Sequence, residues 1–318
     1  MKRIVIVLGL LFLAAPAVQA QIVAPDPFSQ NKIGIELSPP LPRPHQEVRA
    51  SVNTASVSTI GATIRWYLDG EELTDAFNQR SITVTAGDLG EQMGIRVSVT
   101  PGAGAAYEAN RIIAPATADL IVEPQTYVPD FYRGRGLPSP YSLIKLTTIV
   151  NAADTAELTY LYRVNGQVVG GGGQRNNQFI LSTPLGERMT VAVEVYNSRS
   201  TLIAQTVVVL PIVKPSLSFY EVNSLKGAVE IPIDESLRLS GSQTTLRAVP
   251  YNLDTRVLTS DPLIEWKLNG RVLETDFVHP LDMVISNTFL GANSPLTFHI
   301  RNLDNVAQGV RGSISITN

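Results

Sequence analysis

Apolar and polar positions alternate along most of the chain, and three stretches share one form: IRWYLDG at 64–70, YLYRVNG at 160–166 and IEWKLNG at 264–270. Ile64, Trp66 and Leu68 fall on one face, as do Tyr160, Tyr162 and Val164, and again Ile264, Trp266 and Leu268. A period of two marks a half-buried strand. Each stretch ends in Asp-Gly or Asn-Gly, the pair that accepts the positive φ angles of a two-residue hairpin turn. A strand running into a tight turn is thus predicted three times.

Other landmarks keep step with these. A Leu-Gly pair follows the turn glycine by 20 residues at 89–90 and 185–186, and by 21 at 290–291. Beyond it, at constant offsets, stand Ile95, Val97 and Val99, then Val191, Val193 and Val195, then Leu296, Phe298 and Ile300. Upstream, Val48, Ala50 and Val52 correspond to Ile144, Leu146 and Thr148, and after a two-residue insertion to Leu246, Ala248 and Pro250. The turn glycines lie 96 and 104 residues apart. A repeat of that length is a domain, and the chain is a tandem array. Short strands with an inward aromatic on the third describe an immunoglobulin-like sandwich, with Trp66, Tyr162 and Trp266 at the structural core. No window carries a 3.6-residue period, so almost no helix is expected.

The N-terminus reads differently. Lys2 and Arg3 precede an apolar run from Ile4 to Ala15, and Pro16 precedes the small residues of Val18-Gln19-Ala20. Twelve apolar residues fall short of the roughly 20 that a spanning helix needs. A cleaved signal peptide over 1–20 is expected. The predicted plan is all-β: three tandem immunoglobulin-like β-sandwich domains (33–124, 125–214 and 215–318), preceded by the signal peptide and an N-terminal extension over 21–32.

Composition narrows the function. The full chain carries 25 Lys and Arg against 28 Asp and Glu, and no cysteine. A mildly acidic chain argues against nucleic acid as a partner. Without cysteines an exported domain depends on packing and hydrogen bonds, which suits units large enough to own a core.

One segment stands out, TYVPDFYRGRGLPSP at 126–140. Two RG pairs in an acidic, exported chain do not make an RNA-binding tract. The segment lies between residues 119–123, taken as the last strand of the first domain, and the strand at 143–150. The corresponding slot before the third domain holds SLSFYEVNSLKG at 216–227. Aromatics recurring at a domain entry predict a structured interdomain joint built from Tyr127, Phe131, Tyr132, Phe219 and Tyr220.

The combination of TYVPDFYRGRGLPSP, WYLDG, SFYEVNSLKG, TTLRAVPYNL and EWKLNG, in that order, resembles a family of exported tandem Ig-like-domain proteins from small-genome candidate-phylum bacteria. The resemblance covers nearly all of the chain after the leader. It implies an extracytoplasmic protein of the cell surface or a periplasm-like space, in association with surface attachment or type IV pili. It brings no catalytic residues. The sequence departs from the repeat at Tyr162, where the other two copies have Trp.

Chemical motifs are sparse. The histidines are His45, His279 and His299, too scattered for a zinc set. Asp69, Glu71, Glu72 and Asp75 cluster at the first hairpin but lack the spacing of a calcium loop. GxSxG, GxxxxGK[ST] and GxGxxG are absent. The glycines at 170–173 read as a mobile loop. Lys145 and Asn197 are the candidates for an isopeptide crosslink, although Lys145 falls on an outward position. No cofactor, no metal and no enzymatic activity are expected. A protein or glycan partner at the cell surface is expected, for a structural, adhesive rod. The alternative is a carbohydrate-binding module using Tyr67, Tyr107, Tyr141 and Tyr251.

Overall fold

A computed structural model describes residues 33–317 apart from 55, 56, 103, 154, 175, 224, 226, 277 and 292; the signal peptide and the extension at 21–32 lie outside the described residues. The chain is almost entirely antiparallel β-structure in three tandem Ig-like sandwiches. In the first run β1 (Ile33–Ser38), β2 (Glu47–Thr54), β3 (Thr63–Leu68), β4 (Glu71–Glu72), β5 (Ser81–Thr85), β6 (Met93–Thr100) and β7 (Tyr107–Ile113). They form sheets of order β1-β2-β5 and β4-β3-β6-β7.

The second sandwich has β8 (Thr117–Pro124), β9 (Thr126–Tyr127), β10 (Leu143–Asn151), β11 (Thr159–Val164), β12 (Gln167–Gln174), β13 (Gln178–Ser182), β14 (Arg188–Tyr196) and β15 (Leu202–Pro211). Its sheets are β13-β10-β8 and β12-β11-β14-β15, while β9 leaves to pair elsewhere. The third contains β16 (Ser216–Asn223), β17 (Gly227–Ala228), β18 (Ser236–Arg238), β19 (Gln243–Tyr251), β20 (Leu253–Asp254), the short helix α1 (Thr255–Thr259), β21 (Leu263–Leu268), β22 (Arg271–Leu273), β23 (Asp282–Ser286), β24 (Ser294–Arg301) and β25 (Gly309–Thr317). Here the sheets are β17-β16-β19-β23 and β18-β25-β24-β21-β22. The described residues gather into two compact units: one holds Ala50–Ile82 and Gly94–Arg111 with residues 33–36, the other Leu37–Arg49, Thr83–Met93 and 112–317.

The three aromatics occupy one slot in each sandwich. Trp66, Tyr162 and Trp266 are fully buried. The Trp66 indole N–H donates to the Gln79 carbonyl at 2.8 Å, and that of Trp266 to the Pro280 carbonyl at 3.1 Å. Tyr162 reaches the same place with its hydroxyl, which donates to the Asn177 carbonyl at 3.0 Å and lies 2.9 Å from Thr148 Oγ1. The carbonyl lies shortly before β5, β13 or β23 in each case. A buried polar tip must find a partner, and the chain supplies one at the equivalent point every time. Tyr162 also stacks on Phe179, with ring centroids 5.1 Å apart and planes 14° apart, so the neighbouring ring fills space that an indole would occupy.

The hairpin turns repeat as closely. Asp69, Asn165 and Asn269 have φ of 49°, 49° and 50°, each followed by a glycine with positive φ. Asp69 N–H donates to the Gly94 carbonyl, and Gly94 N–H returns to the Asp69 carboxylate at 2.6 Å. Asn165 makes the same reciprocal pair with Thr190. In the third sandwich the residue opposite is Pro295, which has no N–H to give. Asn269 still donates its N–H to the Pro295 carbonyl, but its side chain turns to Ser294 Oγ at 3.2 Å.

Two expectations need correction, and one candidate pairing is not made. Residues 119–123 are not the last strand of the first sandwich: β8 pairs along its length with β10, Val122 opposite Leu146, and is the first strand of the second sandwich. Their alternation predicted a strand but carries no record of which neighbour takes its hydrogen bonds. The glycines at 170–173 are not a loop. They belong to β12, which pairs with β11 through register shifts, and a Cβ at Gly170 would come 2.9 Å from the Phe179 ring. Lys145 and Asn197 are not brought together. Lys145 Nζ lies 3.7 Å from Glu123, and the Asn197 side-chain oxygen accepts from Arg199 and Thr201 N–H groups in the turn after β14.

Candidate functional site

The most elaborated region within the second unit is where the second sandwich meets the third. The segment after β8 crosses to the third sandwich: Thr126 and Tyr127 of β9 pair with Asp254 and Leu253 of β20. Asn252, held at φ 57°, donates its N–H to the Tyr127 carbonyl at 2.8 Å and accepts from Leu137 N–H at 2.8 Å. Thr255 N–H donates to the Gln125 carbonyl at 3.0 Å. These bonds tie 125–137 to the turn between β19 and α1, so the segment expected to join the first two sandwiches is instead docked on the third.

The aromatics arrange accordingly. Phe131 meets Tyr220 edge-on at 5.2 Å, and Tyr132 meets Tyr251 in the same manner at 5.4 Å. The Tyr220 and Tyr251 hydroxyls lie 2.6 Å apart. Burial and the neighbouring Tyr220 hydroxyl push the Tyr251 phenol well above its ordinary value. Tyr127 lies beside them on β9, half-buried. Phe219, grouped with the joint on sequence grounds, belongs elsewhere. It is 3% exposed and lies 6.0 Å from the Trp266 ring, in the core of the third sandwich. In a strand, neighbouring side chains point to opposite faces, so the Phe219-Tyr220 pair is split between core and joint.

The glycines of the two RG pairs have a steric basis. A Cβ at Gly134 would fall 2.6 Å from the Tyr132 ring, and one at Gly136 would fall 2.8 Å from Thr126 Oγ1 and 3.2 Å from its carbonyl oxygen. The ring can swing aside, whereas the β9 backbone cannot. Gly136→Val is therefore expected to destabilise the joint by about 1–3 kcal/mol through overpacking, and Gly134→Ala by less. Thermal unfolding of the two variants checks the order.

At the centre is a buried polar cluster. Gln308, 2% exposed, donates from Nε2 to Ser139 Oγ at 3.0 Å and to the Pro140 carbonyl, and its Oε1 accepts from Asp254 N–H at 2.8 Å. Asp254, 1% exposed, accepts from Leu143 N–H at 2.9 Å and caps α1 through Arg256 N–H at 2.8 Å. The Arg256 guanidinium closes on the same carboxylate from Nε at 2.9 Å and from its terminal nitrogen at 2.8 Å. Ser139, Ser142 and Thr183 complete the cluster: Ser139 N–H donates to Ser142 Oγ, and the Thr183 hydroxyl to the Ser139 carbonyl. Burial pushes the Asp254 carboxyl up, but the Arg256 side chain and the Arg256 and Leu143 N–H groups outweigh it and hold it below the ordinary range. Sequence reading missed Asp254 and Gln308. Nothing local marks their part in the joint, since their partners in the second sandwich, Leu143, Ser139 and Pro140, lie more than a hundred positions away.

Beside the joint opens a cleft of about 330 Å³, bordered by Tyr127, Arg247, Leu258, Ile264, His279 and Asp282. Arg247 and Asp282 form a two-pronged pair across β19 and β23, at 2.6 and 2.7 Å.

The remaining sequence candidates have ordinary surroundings. Tyr67 lies under the Arg96 guanidinium at 3.8 Å, and the exposed Tyr141 presents its carbonyl to Ser182 and Arg256. Asp69 serves its hairpin, and Glu72 pairs with Arg65 at 3.3 Å. His45 contacts Asp88 at 3.0 Å, and desolvation and nearby Arg301 and Arg311 depress the His299 imidazole. Among the described residues no group of three His, Cys, Asp or Glu side chains is placed to hold a metal, and no helix is long and apolar enough to cross a membrane.

No protein-family model and no curated protein matches the chain. Several solved structures are similar to it at low identity. The three N-terminal domains of the bacteriophage RB49 Highly Immunogenic Outer Capsid protein match at 12% identity, over 90% of this chain and 98% of that one, with a TM-score of 0.29. The fibronectin(III)-like modules of Clostridium thermocellum CbhA match at 12% over 56% of this chain and 93% of theirs, TM-score 0.27. A chain from a study of host cell surface retention of a 1.5-MDa bacterial ice-binding adhesin matches at 11% over 86% and 91%, TM-score 0.24. Likenesses of this size carry nothing about ligand or partner, and the sandwich fold of this chain rests on its own strand pairing.

Proposed function

We propose that the chain is a non-catalytic, exported structural or adhesive protein whose Ig-like sandwiches act in cell-surface or envelope interactions with a protein or glycan partner. The joint carries this reading. Asp254 and Gln308 are almost fully buried, and their hydrogen bonds run to backbone groups of the neighbouring sandwich. A tether that only keeps two domains on one chain needs no such cluster. Buried polar groups with all partners in place favour one arrangement over others, which is of use where a surface must be presented at a set position. The aromatic-to-carbonyl bond in each sandwich supports the same reading, because it anchors the core without a disulfide. The family resemblance adds the setting: an extracytoplasmic location, with the envelope or its pili as the source of partners.

Protease treatment of intact cells, followed by fractionation, tests the proposal. The expected result is removal of the protein by protease added outside, and its recovery with envelope or pilus fractions. Recovery from the cytosol alone would overturn it.

A further inference from the structure

The cleft beside the joint holds polar groups that the fold does not use. The Tyr127 hydroxyl and the His279 imidazole make no hydrogen bond to any described residue, and both border the cleft. Arg247 spends one N–H on each Asp282 oxygen, so the pair keeps further N–H groups and carboxylate lone pairs for a ligand. Leu258 and Ile264 add an apolar wall to the same cleft. The volume of about 330 Å³ lies at the small end of ligand pockets, and a seam between two domains is a preferred place for one.

The pairing of Arg247 with Asp282 decides the ligand class. Its charges cancel, so the rim does not select an anion. Donors and acceptors stand side by side at its edge, and two adjacent hydroxyls, each able to give and to take a hydrogen bond, match that alternation. The C–H face of a sugar ring suits the apolar wall, and the Tyr127 phenol stands within the same cleft. We propose that this cleft binds one unit of a neutral hexopyranose through a vicinal diol. The diol engages Arg247 and Asp282, and Tyr127 contributes a further hydrogen bond. The inference stands apart from the surface reading: binding is a property of the purified chain, whatever its location in the cell.

The test is titration of the full chain with neutral methyl hexopyranosides, followed by chemical-shift changes or calorimetry. A 3-deoxy analogue, which lacks both vicinal diols of a hexopyranoside, and an anionic uronic acid serve as comparators. Saturable binding of at least one neutral hexoside is expected, weakened about tenfold or more by the 3-deoxy change in the same sugar and by Arg247→Met. Tyr127→Phe removes a single hydroxyl while leaving the ring in place. It should weaken binding several-fold with an unchanged thermal unfolding midpoint, which separates the site from damage to the fold. Three results would each overturn the proposal: no saturable binding by any neutral hexoside, preference for the uronic acid, or binding untouched by both Tyr127→Phe and Arg247→Met.

Discussion

Replacing Asp254 with alanine is expected to uncouple the second and third sandwiches while leaving each folded. The substitution removes the acceptor for Leu143 N–H and Arg256 N–H and for two arms of the Arg256 guanidinium. Hydrogen bonds to a charged partner contribute about 1.5–3 kcal/mol each when buried, and a stranded buried donor costs about 1–3 kcal/mol. Arg256 is half-exposed and can return to water, so the lasting cost falls on Leu143 and the helix cap. A loss of about 2–4 kcal/mol follows, a large share of the 5–15 kcal/mol that holds a typical domain. Amide hydrogen exchange at Leu143 gives the sharpest readout. Protection there should fall in the variant while strand amides within β14 and β24 keep theirs; unchanged protection at Leu143 would show that the carboxylate does not secure the joint.

Acid should do what the substitution does. The folded Asp254 carboxyl titrates below its ordinary value of 3.8. Its contribution is therefore complete above the unfolded value and is lost as pH falls through the lower, folded one. Protection at Leu143, taken relative to the intrinsic exchange rate at each pH, should stay high at neutral pH and fall only below about pH 3.8.

The second large effect is expected in the core of the third sandwich. Trp266 touches Phe298 edge-on at 4.7 Å and Phe219 at 6.0 Å, and it anchors the Pro280 carbonyl. Trp266→Ala leaves a cavity and an unpaired carbonyl, a loss of about 3–5 kcal/mol. Trp266→Tyr should lose distinctly less, because Tyr162 already performs both tasks in the second sandwich. Urea unfolding of the two variants measures the difference. Equal losses would mean that the hydrogen bond to the carbonyl adds nothing to the slot.

What the sequence disclosed and what it withheld divide along a physical line. Strand alternation, the Asp-Gly and Asn-Gly turns and the inward aromatics are local: each residue's role is set by neighbours within a few positions. Pairing is not. The alternation of residues 119–123 is the same whether β8 joins the strands before it or β10 after it, and only the register with Ile144 to Asn151 decides. The joint is the extreme case, since Gln308 meets Ser139 and Asp254 meets Leu143 across most of two domains. Aromatics at 127, 131 and 132 announced a packed segment without naming the surface. Glycines 170–173 misled because composition argues for freedom, whereas at Gly170 the Phe179 ring occupies the space a side chain would need.

The substitution of Tyr162 for Trp in the shared slot has an optical consequence. The chain has two tryptophans in all. One indole is enclosed in the first sandwich and the other in the third, each out of water, while the second sandwich has none. Intrinsic fluorescence is therefore already addressed by domain. Trp66→Phe leaves emission that reports the third sandwich alone, Trp266→Phe leaves emission from the first, and the sandwich between them unfolds unseen except through what it does to its neighbours.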